Sequence, residues 1–107
     1  MAITEEASFL VLSNVDTYDR QKVLAKHLGF SIGKVNYIIK ALADKGFIKM
    51  GNFAASQHKS RYILTPEGIN TKLILTKKFI ERKKLEYEQL QQQLEETEQR
   101  LAAQQGF

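Results

Sequence analysis

The sequence predicts a mainly α-helical chain with one small β-hairpin, closing on a long C-terminal coiled-coil helix. Three observations predict it. Apolar residues recur at helical spacing through the first 42 positions. Two short runs of strand-forming residues, 47–50 and 61–64, flank a small polar stretch. After Pro66 nothing breaks a helical pattern until Gly106, apart from Gly68 in the opening turn.

The bulk properties narrow the function classes. At 107 residues the chain has room for one domain and an appendage, which divides it into 1–64 and 65–107. The absence of cysteine excludes disulfides and thiolate metal sites and fits a cytoplasmic location. No run approaches the ~20 apolar residues of a membrane span, and no basic-then-apolar leader opens the chain. The formal net charge is only +4, but it is unevenly spread. Residues 17–65 hold nine Lys or Arg against Asp19 and Asp44, whereas residues 86–100 hold five Glu against Arg100. A basic body with an acidic tail calls for a polyanionic partner for the body alone.

The first helix is expected over residues 4–14. Thr4 suits its N-cap, Glu5 and Glu6 suit its positive end, and residues 9–12 supply a broad apolar surface. Asn14 is its exit, and Thr17 or Asp19 would cap the next helix. That helix takes an apolar face from Val23, Leu24 and Leu28, and the following one from Val35, Ile38, Ile39 and Leu42. Between them, Gly29 tolerates the positive φ of a helix end and Ser31 is a good N-cap. Ala25 is small where the two helices would cross. Helix, small crossing residue, Gly turn, cap and half-buried second helix make a helix-turn-helix. The remaining face of the second helix carries Gly33, Lys34, Asn36, Tyr37 and Lys40, with no acid before Asp44. Such a face suits double-stranded DNA.

Lys45 and Gly46 end the helical pattern, and the two short strands around the polar loop 51–60 then form a wing. Together these elements predict a winged helix-turn-helix. Lys59, Arg61 and more weakly His58 are placed to meet phosphates from the wing.

Thr65, Pro66 and Glu67 start the last helix: Thr caps, Pro takes the first position where no amide is missed, and Glu sits in the first turn. A helix over 65–101 would be ~55 Å long, too long to pack entirely on its own body. Leu73, Ile80, Tyr87, Leu94 and Leu101 recur every seventh residue, with Ile69, Thr76, Lys83, Leu90 and Thr97 between them. This heptad seam predicts self-association, with Ile69, Leu73, Ile80, Tyr87, Leu90, Leu94 and Leu101 at the dimer interface. Parallel and antiparallel pairing remain open. The basic run at Lys77, Lys78, Arg82, Lys83 and Lys84 reads as a solvated face pairing with nearby Glu.

In this order, the residues Leu24-Ala25-Lys26, Leu28-Gly29, Gly33-Lys34-Val35-Asn36-Tyr37, Lys40-Ala41-Leu42, Lys45-Gly46 and Leu64-Thr65-Pro66-Glu67-Gly68 resemble winged-helix transcriptional regulators of the MarR type. The likeness covers about residues 5 to 90 and is strongest to the small bacterial MarR-like regulators associated with exopolysaccharide (EPS) gene clusters. It implies a homodimeric, sequence-specific regulator acting on an inverted repeat. The wing lacks that group's Asp-x-Arg signature, and no long N-terminal helix is present to build a ligand-binding interface. Dimerisation therefore falls to the C-terminal helix, in a manner similar to PadR-like regulators.

On this reading Asn36 is the adenine reader and Lys34 the guanine reader, Gly33 permits close backbone approach, and Ser31, Tyr37 and Lys40 hold phosphates. Half-sites would lie ~34–36 Å apart. No cofactor, metal, small-molecule ligand or membrane partner is expected. The competing class is a winged-helix protein-interaction module whose coiled coil docks a partner and whose basic face is incidental. An enzyme is the weakest reading: there is no nucleophile–base pair, and His27 and His58 lack metal-site spacing.

Overall fold

The computed structural model describes residues 3–18, 20–50 and 62–105. Four helices and one two-stranded sheet are present among them: α1 (Glu5–Asn14), α2 (Gln21–Leu28), α3 (Ile32–Asp44), β1 (Ile48–Met50), β2 (Tyr62–Leu64) and α4 (Pro66–Gln105). The molecule is mainly helical with a small antiparallel hairpin, and α4 runs unbroken for 40 residues. The chain divides into two compact units, residues 1–75 and 76–107.

In the first unit α1 packs across both α2 and α3. Thr4 caps α1, its hydroxyl accepting from the Ala7 amide at 3.1 Å. Val11, Leu12 and Val15 are fully buried against Leu24 and Ala25 of α2 and Val35 and Ile38 of α3. This three-helix core is closed by Ile48 of β1, with Tyr62, Leu64 and Leu75 packed at its margin. The hairpin is antiparallel, pairing Ile48 with Leu64, Lys49 with Ile63 and Met50 with Tyr62.

Two local expectations are corrected. Val23 does not join the apolar face of α2 but is 45% exposed. The buried stripe runs through Leu24, Ala25 and Leu28 instead, and one residue is a 100° turn around a helix. The N-cap position of α2 falls at Arg20, which makes no side-chain capping bond. Thr17 belongs to the turn closing α1, its amide bonded to the Asn14 carbonyl at 3.0 Å. Asp19, the other candidate cap, lies outside the described residues.

Where the hairpin returns to α4, the chain is tightly knit. The Thr65 amide donates to the Phe47 carbonyl at 3.0 Å, and the Thr65 hydroxyl both accepts from the Gly68 amide and donates to the Gly46 carbonyl. Gly68 is favoured here rather than merely tolerated, because a Cβ at this position would run into the Phe47 carbonyl oxygen. The second unit is a single helical stretch whose residues from 80 to 105 are all exposed in the single chain.

Candidate nucleic-acid interface

The turn between α2 and α3 sets where the candidate surface points. Gly29 ends α2 with φ +73°, a conformation that glycine adopts without the steric cost borne by other residues. Phe30 then donates its amide to the Ala25 carbonyl at 2.9 Å, closing the turn. Ser31 caps α3: its hydroxyl oxygen accepts from the Lys34 amide at 3.0 Å. That bond uses a lone pair and leaves the hydroxyl proton available to donate outward.

Val35, Ile38, Ile39 and Leu42 face the core, so the rest of α3 is turned away from it. Ser31, Gly33, Tyr37 and Lys40 are exposed, and Lys34 and Asn36 are half-buried. Nothing lies within 4 Å of a Cβ built on Gly33. The protein's own packing therefore does not demand glycine there, although glycine costs a helix about 1 kcal/mol relative to alanine.

Two of the polar side chains are held in place. The Lys34 ammonium lies 4.1 Å from the centroid of the Phe30 ring, a cation–π contact that keeps the charge at the opening turn of α3. Asn36 accepts at Oδ1 from Gln21 Nε2 at 3.4 Å, and the same amide donates to the Tyr62 hydroxyl at 3.1 Å. The start of α2, the exposed edge of α3 and the second wing strand are thus joined by one side-chain amide. Gln21 and Tyr62 were not singled out in the sequence, since nothing local marks a residue whose partners lie 15 and 41 positions away. Ile32 is 51% exposed at the first turn of α3, where an apolar group can meet a thymine methyl.

The electrostatics are one-sided. Lys22, Lys26, Lys40, Lys45 and Lys49 are exposed, and Asp44, at the far end of α3, is the sole acid in residues 20–50. His27 is exposed and stacks on Tyr18, ring centroids 4.7 Å apart. Lys59, Arg61 and His58, the expected wing contacts, lie outside the described residues. Among the described residues no group of three or more His, Asp or Glu is placed to hold a metal ion, and no helix is long and apolar enough to cross a membrane.

Residues 20–49 match a family model described as winged helix-turn-helix DNA-binding. The match begins at the N-cap of α2 and ends inside β1, so it spans both helices of the motif, the turn and the entry to the wing. No curated protein matches the chain. The geometry and the family model agree on a winged helix-turn-helix of the DNA-binding kind, the sort of module carried by transcriptional regulators.

Proposed function

We propose that this chain is a homodimeric, sequence-specific regulator of transcription, MarR-like and allied to the small EPS-associated members of that group, acting on an inverted-repeat operator. The observation that carries the reading is the outer surface of α3: turned away from the core, basic, and without an acid before Asp44. This surface is the size and shape that a major groove admits.

In the proposed complex Asn36 reads an adenine. Its carbonyl keeps a lone pair beside the bond from Gln21, and its amide protons suit N7. Lys34 reads guanine O6 and N7 from the first turn. Gly33 lets the helix backbone approach, and Ser31, Tyr37 and Lys40 hold phosphates, with Lys59 and Arg61 reaching the backbone from the wing. The division of labour is a reading unit over 1–64 and a dimerising unit over 65–107. Ile69, Leu73, Ile80, Tyr87, Leu90, Leu94 and Leu101 form the shared seam of the coiled coil, and all seven are exposed in the single chain. Two copies related by a two-fold axis then meet half-sites a whole number of duplex turns apart.

Selecting bound sequences from a random duplex pool tests this directly. An enriched palindrome is the expected result, reporting specificity, symmetry and spacing together. Failure to retard any duplex at ~100 mM salt, even at ~100 µM protein, would overturn it in favour of a protein-interaction module.

A further inference from the structure

The heptad seam of residues 76–107 leaves the orientation of the two helices undecided, and charge decides it. We infer that the second copy of this helix pairs antiparallel to the first, centred between Tyr87 and Leu90, with Lys77 in the basic stretch of each copy meeting Glu98 of the other. This inference rests on the proposed homodimer and adds its geometry.

Ile80, Tyr87, Leu90, Leu94 and Leu101 are between 49% and 63% exposed along one stripe of α4. A stripe of that length on a single helix requires a cover. The chemistry on either side of it is asymmetric along the axis. Residues 77–84 carry Lys77, Lys78, Arg82, Lys83 and Lys84 against Glu81, whereas 86–100 carry five Glu against Arg100.

Laid parallel and in register, like meets like. Lys83 sits in the seam opposite Lys83 of its copy, and the flanking positions pair Glu86 with Gln91 and Gln93 with Glu98, so no opposite charges meet. Laid antiparallel about the stated centre, Tyr87 meets Leu90, Ile80 meets Thr97, and Lys83 meets Leu94, where its methylene stem can cover the leucine while the ammonium stays on Glu86 of its own helix, 3.4 Å away. Thr97 suits the seam, because its hydroxyl already donates to the Gln93 carbonyl at 2.9 Å. At the flanking positions Lys77 meets Glu98, twice by symmetry. The antiparallel arrangement centred between Lys83 and Tyr87, half a heptad lower, brings Lys84 onto Lys84 and Glu86 onto Glu86 about the two-fold, and is disfavoured for that reason.

Because the chain contains no cysteine, single nitroxide labels test the orientation cleanly. Glu88→Cys and Gln104→Cys, both at exposed sites, are labelled separately in the full-length chain. Label–label distances are measured by pulsed electron resonance, and mass by sedimentation equilibrium. The expected result is a dimer with labels at 88 within ~20 Å and labels at 104 roughly 45 Å apart, the latter from the helical rise over 31 positions. Both pairs within ~20 Å would mean parallel helices and overturn the orientation while leaving the homodimer intact. A dimer with both pairs far apart would place its interface elsewhere, and a monomer would remove the homodimer itself.

Discussion

At the scale of single residues, the side chains with most consequence are those that hold another residue in place. Gln21 joins Asn36 to Tyr62 through one amide, so the proposed base reader arrives at DNA with its rotamer already restricted. A bidentate contact made by a preset side chain loses little entropy on binding. Replacing Asn36 with Ala is therefore expected to cost ~1–3 kcal/mol at a single base-pair position, measured as the change in affinity across a set of singly substituted operators. An equal loss on every sequence would instead assign Asn36 to the backbone. Gly68 acts on stability rather than recognition. A methyl group there meets the Phe47 carbonyl, which is itself bonded to the Thr65 amide. Gly68→Ala is expected to destabilise the first unit by at least ~1–3 kcal/mol, read from the urea midpoint. An unchanged midpoint would show that the hairpin and α4 can separate at no cost.

At the scale of elements, α3 serves two requirements with one helix. Its buried side, Val35, Ile38, Ile39 and Leu42, secures it to α1 and α2. Its outer side is then free to carry residues that no packing requirement selects. Ser31 controls where that helix begins, since its hydroxyl satisfies the Lys34 amide, and Lys40, about two and a half turns later, stands exposed on the same element. Substituting Lys40 with Ala is expected to weaken binding to all duplexes alike and to lower the slope of log affinity against log salt by about 1, the signature of one lost phosphate contact. Titrating the binding of an unrelated duplex between ~50 and ~200 mM salt gives that slope. If it does not change, Lys40 makes no phosphate contact.

At the scale of the whole molecule, the proposed recognition and pairing surfaces lie on different stretches of chain, so they can be disturbed separately. The first unit has its own core, whereas Leu90 and Leu94 lie in the second unit and are exposed in the single chain. Changing both to Ser removes the apolar centre of the proposed seam without touching that core. The double variant is expected to sediment as a monomer at micromolar concentration with its urea midpoint for the first unit unchanged. Its affinity for an inverted repeat is expected to fall much further than its affinity for one half-site, because linked binding of two sites is lost. Equal losses on the two DNAs would separate pairing from recognition and argue against the operator symmetry.

What the sequence determined by itself is whatever depends on neighbours a few residues apart. Thr4, Gly29, Ser31 and Thr65 mark the ends of helices because caps and turns are made with amides one helical turn away. The unbroken course of α4 was legible for the same reason, as were the two wing strands. Tertiary structure decided the rest. Leu24 and Ala25, not Val23, were drawn into the core because the position of α1 chooses which stripe of a short helix is covered. Gly68 became favoured only when Phe47 was brought against it. Gln21, Asn36 and Tyr62 met only when three elements were packed together. Contacts between residues far apart in the chain are set by how whole elements pack, and a local pattern of residue types carries no record of that.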